Sequence, residues 1–231
     1  MTDPIERIRS LDYFSALPER VLKDLSAQCD VMQIPRKKTL FQEDTLIQDL
    51  YIVLFGSFKV AKKAHGSGPL LLNFLGRGEF LGIALAGLTY PKYPATLIAQ
   101  ENSALLKFPR EFFLEYMMKI ESVRHTVNRQ IGERFLELQN DRCMENVLIH
   151  QRVADMILRL WERQGDKGHR ILIPTTRQDI AQRVGTTTET VIRIMSQWHK
   201  QGILATVEKH IEIIDEKRLR EMRQCEQFHL S

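Results

Sequence analysis

Glu189 and Arg193 stand four residues apart in the stretch TRQDIAQRVGTTTETVIRIMSQWHKQGIL, residues 176–204. On a helix that spacing puts both on one face, together with Thr188, Ile192 and Ser196. A carboxylate and a guanidinium side by side, with hydroxyls and a methyl-bearing chain, form no nucleophile–base pair. They are the groups that read base edges in a major groove. Arginine donates two hydrogen bonds to guanine, glutamate accepts from cytosine N4, and threonine and isoleucine offer methyls to thymine. Thr176, Arg177 and Gln178 begin the stretch, and Lys209 and His210 follow it; these residue types at those places suit phosphate contacts.

The rest of the stretch supplies what would hold such a face. With Arg177 as the first position, Ala181 is the fifth, Gly185 the ninth, Val191 the fifteenth and Ile194 the eighteenth. Two helices that cross steeply need a small residue at their closest approach, which is Ala181. The turn between them needs positive φ or a bare backbone, which is Gly185. Val184, Val191, Ile194 and Met195 are the inner face, and Thr186 or Thr187 can cap the second helix. ILATVEKHIEIID then reads as two strands around a Glu208–Lys209 turn, with a short helix after Asp215. A plain helical hairpin with solvated outer residues is the bland alternative, and the match at four positions plus the strand pair disfavours it.

Composition bounds the remainder. A chain of 231 residues suits two domains, and its formal charge of +4 permits a nucleic-acid partner without requiring one. Cys29, Cys143 and Cys225 are far apart and form no CxxC, which argues against a disulfide framework or a zinc site. The charged start, MTDPIERIRS, lacks the apolar core of a signal peptide, and no apolar run is long enough to span a bilayer. A soluble, cytoplasmic protein is expected, with no membrane partner.

Before the helix-turn-helix the texture differs. Residues from about Thr2 to Cys29 read as short helices. After Asp30, VMQIPRKKTLFQED, DLYIVLFGSFKVAKKA and PLLLNFLGRGEFLG are short β-forming runs separated by glycines, with Gly56 in a hairpin turn and AHGSGP at a hairpin tip. Such punctuation predicts a sandwich or jelly roll. From Glu111 to about Asn140 the apolar residues Ile120, Val123, Val127, Ile131, Phe135 and Leu138 recur at helical steps. One helix of that extent would be roughly 45 Å long. Its seam, Ile120, Val123, Val127, Ile131 and Leu138, is read as a dimer interface; the alternative is a helix lying on its own β-domain. NDRCME, residues 140–145, is the expected hinge. VLIHQRVADMILRLWERQG is an amphipathic helix stopped by Gly165, and DKGHRILIPT a turn and short strand. The fold class is thus α+β: a β jelly roll with N-terminal helices over 1–110, a dimerisation helix and hinge over 111–145, and a winged helix-turn-helix over 146–231.

These segments together resemble the CRP/FNR superfamily of bacterial transcription regulators from Phe14 to Asp215. LYIVLFGSFKV is similar to the hairpin before the family's ligand pocket, GRGEFLGIALAGL to its phosphate-binding cassette, and TRQDIAQRVGTTTETVIRIM to its helix-turn-helix. The resemblance places the family's E-x-x-x-R base-reading pair on Glu189 and Arg193, with Thr188 where cyclic-AMP-binding members carry arginine. It places an effector pocket at Gly78, Glu79, Phe80, Leu81, Gly82, Ile83, Tyr93, Pro94, Ala95 and Thr96. Ile83 falls where cyclic-AMP binders hold the ribose with glutamate, and Tyr93 where they hold the cyclic phosphate with arginine. The polar pair that meets the adenine falls near Glu137 and Leu138. An isoleucine accepts no hydrogen bond and a tyrosine does not neutralise a phosphate, so the resemblance implies that cyclic AMP is not held in the usual pose. An iron–sulfur cluster of the FNR kind needs several cysteines near the N-terminus, where Cys29 stands alone. His65 and His125 are the candidate ligands for haem, used in one branch. The cofactor is left open. The implied partners are double-stranded DNA carrying an inverted repeat, a second copy of the chain, RNA polymerase and an unidentified small-molecule effector. The alternative is an effector-sensing protein-interaction module with a vestigial helix-turn-helix.

Overall fold

The computed structural model describes residues 4–64, 67–144, 147–166 and 169–223. Its chain divides into two units, 1–63 with 75–138, and 64–74 with 139–231. His65, Glu145 and Cys225 lie outside the described residues.

In the first unit, helices α1 (Pro4–Arg9), α2 (Asp12–Ser15) and α3 (Glu19–Gln28) precede the strands. These are β1 (Asp30–Ile34), β2 (Thr39–Phe41), β3 (Asp49–Phe55), β4 (Phe58–Ala64), β6 (Phe80–Leu81), β7 (Thr96–Ala99) and β8 (Ser103–Pro109); the intervening β5 (Ser67–Leu75) belongs to the second unit up to Phe74. Within the first unit β1, β8, β3 and β6 form one sheet in that order, and β2, β7 and β4 lie side by side in a second. The long-range pairings β1 with β8 and β4 with β7 are antiparallel, as a jelly roll requires. Val53, Phe58, Leu97 and Leu105 are buried between the strands. Gly56 turns β3 into β4 at φ 81°, and an added Cβ would lie 2.8 Å from the Ser103 Cα, so both torsion and space demand glycine.

The segment after β8 departs from the single helix expected. Helix α4 (Arg110–Glu115) is followed by a 3-10 turn over Met117–Lys119, and only then by α5 (Glu121–Cys143). Ile120 takes extended angles, φ −76° and ψ 117°, because Phe113, Met117 and Ile120 turn into the β-domain core. The break separates α4 from a 23-residue helix of about 35 Å. Nor does NDRCME form a hinge at its start: Asn140 to Cys143 are the last turn of α5. Polar residues cost little at exposed helical positions, so polarity alone marks no break.

The second unit contains α6 (Ile149–Gln164), α7 (Arg177–Val184), α8 (Thr188–Lys200), the strand pair β9 (Leu204–Val207) and β10 (His210–Ile213), and α9 (Glu216–Arg223). One core takes Ile157 and Leu158 from α6, Ile180 from α7, Val191, Met195 and Trp198 from α8, and Leu204, Ile211 and Leu219 beyond. Val207 pairs with His210 across a two-residue turn in which Glu208 and Lys209 both have positive φ, 49° and 71°. That is the turn type whose twist suits a hairpin. The expected short strand in DKGHRILIPT is reduced to bridges, Gly165 with Ile171 and Arg170 with Glu212, that lay this segment beside β10.

Candidate nucleic-acid interface and effector pocket

Helix α7 starts at a capping box. The Asp179 amide donates to Thr176 Oγ1 at 3.1 Å, and the Thr176 amide donates to Asp179 Oδ2 at 3.2 Å. It ends at Gly185, φ 71°, whose N–H donates to the Ala181 carbonyl. An added Cβ at Gly185 would meet nothing nearer than Arg152 Nη1 at 3.9 Å, so the demand here is torsional alone. Helix α8 begins at Thr187, whose Oγ1 accepts from the Thr190 amide at 3.2 Å. Val191, Met195 and Trp198 are buried, each worth about 1.5–3 kcal/mol of apolar burial, and they press α8 onto α7. Ala181, 3% exposed, sits where the helices approach.

Once that inner face is buried, the outer face is determined. Glu189, Ile192, Arg193 and Ser196 are exposed and Thr188 is half-buried beside them. The Arg193 guanidinium makes no hydrogen bond or ion pair among the described residues. The residues assigned to phosphates fare differently. Gln178 and Lys209 are exposed. Thr176 spends its hydroxyl on the α7 cap, where it also donates to Asp179 Oδ2 at 2.7 Å. Arg177 is half-buried and donates through Nη2 to Thr206 Oγ1 of β9 at 2.8 Å, so it ties the first helix to the wing. Burial lowers its pKa, yet a guanidinium stays charged. His210 is held into the wing, its Nδ1 donating to the Ile171 carbonyl at 3.0 Å.

The pocket segment is largely engaged by the protein itself. Gly78 and Gly82 take positive φ, 81° and 84°. The Gly78 carbonyl accepts from Gln130 Nε2 at 2.9 Å and from the Tyr13 hydroxyl at 3.2 Å, and the Phe80 amide donates to Gln130 Oε1 at 3.0 Å. Glu79 Oε2 accepts from the Gly76 amide at 2.6 Å. Phe80, Leu81 and Ala95 are buried, Ile83 packs partly on the core, Pro94 is exposed, and Thr96 Oγ1 accepts from the Glu43 amide at 3.2 Å. Tyr93, 4% exposed, stacks on Phe41 with ring centroids 3.4 Å apart, and its hydroxyl donates to the Asp49 carbonyl at 2.7 Å. An added Cβ on Gly82 would come within 3.1 Å of the Tyr93 ring. Burial raises the Tyr93 phenol well above its ordinary pKa, so it stays neutral. Where the resemblance places a phosphate-binding arginine, a neutral ring fills the space. Gln130, on α5, had no motif to announce it; its signal was only a polar residue on the inner side of an apolar stripe.

The seam on α5 also needs correction. Val123 and Val127 are 0% and 2% exposed within the β-domain core, and Ile120 packs against that same core. The stripe serves its own domain over its first half. Beyond it Ile131, Phe135 and Leu138 are 38%, 58% and 55% exposed, an apolar face that drops Val123 and Val127 and adds Phe135. No described helix is long and apolar enough to cross a membrane.

A cyclic-nucleotide-type β-roll and a winged helix-turn-helix on one chain define a DNA-binding regulator. The description "Cyclic nucleotide-binding domain" matches residues 31–120 and "Crp-like helix-turn-helix domain" residues 151–222. The chain belongs to the CRP/FNR superfamily of transcription regulators. It is 22% identical over 205 residues to the transcriptional activator protein FnrA of Stutzerimonas stutzeri, covering 84% of this chain and 82% of the relative. It is 25% identical over 187 residues to the fumarate and nitrate reduction regulatory protein of Escherichia coli, covering 78% and 73%. In fold it is similar to FixK2 from Bradyrhizobium japonicum, with a TM-score of 0.73 at 20% identity over 85% of this chain and 98% of that one. A CooA mutant from Carboxydothermus hydrogenoformans gives 0.70 at 18% identity over 96% of both chains.

Proposed function

We propose that this regulator acts as a homodimer that reads an inverted repeat, and that a small effector held by the β-roll controls it. The observation that carries the reading is the outer face of α8: Glu189 and Arg193 are exposed on one helical turn, and Arg193 has no partner among the described residues. In this reading Arg193 takes a guanine and Glu189 its neighbour, with Thr188, Ile192 and Ser196 tuning the flanking bases. Gln178 and Lys209 meet phosphates, and Arg177 adds its charge while fixing the wing. Two copies related by a two-fold axis would set their recognition helices about 34 Å apart, in successive major grooves. Ile131, Phe135 and Leu138 supply the surface on which the copies pair. An effector acts only by favouring the DNA-competent dimer over the other form. Bound near a promoter, the dimer works on RNA polymerase, a role drawn from the activator name of the relative. Cyclic AMP does not serve in the usual pose, because Tyr93 and Ile83 replace its two anchors.

The test is selection of binding sites from random duplexes at fixed salt, with the mass of the protein–DNA complex measured on the winning site. An inverted repeat with one guanine per half, bound by two chains, is the expected outcome. Binding without sequence preference, or by one chain, overturns it.

A further inference from the structure

Tyr93 does more than fill the cassette. One side of its ring abuts Gly82, while the residue also lines an open cavity of about 700 Å³ that takes in none of Gly78 to Ile83. The walls of this cavity come from β2, the loop after it and the start of β3. Ligand sites in proteins usually have roughly 300–1,000 Å³. We propose that this cavity, lined by Tyr93 and by no residue of Gly78 to Ile83, is a binding site for a small organic anion with a planar, aromatic body.

Three features of the lining select that chemistry. First, Phe41, Tyr51 and Tyr93 line it as an aromatic set: Phe41 lies stacked on Tyr93, and at 6.3 Å between centroids and 28° it also stacks with Tyr51. A flat π-system can extend such a stack. Second, Lys37 and Lys38 are exposed at the same cavity and make no ion pair among the described residues. Lys37 is held there with φ 68°, its amide donating to the Ala99 carbonyl at 2.8 Å. Third, the one carboxylate in the lining is already paired. The Asp49 carboxylate is bound to Lys107 Nζ at 3.0 Å, and the Tyr93 hydroxyl already donates to a backbone carbonyl. Two ammonium groups, with the Gln42 side-chain amide and the Tyr51 hydroxyl as further donors, leave the lining cationic. Burial and the nearby Asp49 raise the Tyr51 pKa, which keeps it a neutral donor.

As an effector site this inference rests on the regulator reading above, but binding itself is measured without DNA, so the two fail separately. The full-length chain is titrated by calorimetry with 1-naphthoate, with the uncharged 1-naphthylmethanol, and with sodium sulfate. Naphthoate should saturate one site per chain, with the alcohol and the bare anion each weaker by about tenfold or more. The K37Q/K38Q double variant, whose substitutions lie on exposed positions, should lose about tenfold for naphthoate and leave the alcohol unchanged. The substitution Tyr51→Phe removes only the hydroxyl and should weaken naphthoate by a few-fold (about 3–10). No saturable naphthoate binding, an equal affinity in K37Q/K38Q, or sulfate binding as tightly as naphthoate would each overturn the proposal.

Discussion

Replacing Arg193 by alanine isolates the reading face from everything that holds it. The side chain is exposed and no described group bonds to it, while the neighbouring buried residues Val191, Met195 and Trp198 are untouched. The variant should therefore unfold within about 2–4 °C of the parent, since surface changes usually stay within about 0.5 kcal/mol. Its effect on DNA should be large. A bidentate arginine–guanine pair is worth about 1–3 kcal/mol of discrimination, and a two-fold dimer has two of them. If the halves add, the loss is about 2–6 kcal/mol, or roughly 30-fold to more than 10⁴-fold in affinity. Fluorescence anisotropy on the selected inverted repeat and on four half-site variants, all at one salt concentration, separates the terms. R193A should bind all four bases at the guanine position nearly equally. R177A should lose affinity on every sequence and bind with a shallower salt dependence, while also loosening the wing that Arg177 secures through Thr206. If R193A kept the parent's base preference and R177A changed it, the orientation of α8 argued here would be wrong.

The α5 surface predicts a contrast between two variants: I131D/F135D should give folded monomers by light scattering, whereas V127D, at a position 2% exposed in the parent, should cost several kcal/mol (about 3 or more) and lower the N-terminal unfolding midpoint. A V127D chain that stays as stable as the parent would refute the core assignment. At the helix-turn-helix, G185A should lose about 1–2 kcal/mol through φ 71° alone, and G185N less; chemical denaturation checks the order. In the cap, T176A should cost about 1 kcal/mol in the same assay, and an unchanged midpoint would show that the box contributes nothing. Cyclic AMP should give no calorimetric signal at micromolar concentration, since Tyr93 and Ile83 offer neither anchor; sub-micromolar binding in the usual pose would contradict that account.

The helix-turn-helix was legible because its geometry has few solutions. A small residue at the crossing, a left-handed turn and an inner apolar face each demand a residue type at a set distance, and Ala181, Gly185, Val191 and Met195 meet those demands. The two-strand wing was equally plain, since Glu208 and Lys209 separate two alternating runs. Other features depended on partners far along the chain. Val123 and Val127 fit a helical stripe whichever body they face, and only packing decides between the domain core and a second copy. The break at Ile120 follows from Phe113 and Met117 turning inward, which no local breaker signals. The cavity beside Tyr93 was hidden for the same reason: its stacking partner, Phe41, stands 52 residues earlier. Polarity misled at residues 140–143, where a charged surface helix and a linker have similar composition.

Helix α5 is held in two different ways along its length. Its first half is locked by Val123 and Val127 into the chain's own β-domain, so its backbone is ordered before any second copy arrives. The face beyond, Ile131 to Leu138, continues along the same helix. Association on that face would then freeze only side chains, not a backbone, and so would avoid the largest part of the ordering entropy that coupled folding and binding requires. Separation of two such copies would leave each β-domain intact. If copies pair there, neither β-domain would need its partner in order to fold, and pairing would add to the stability of each only by mass action.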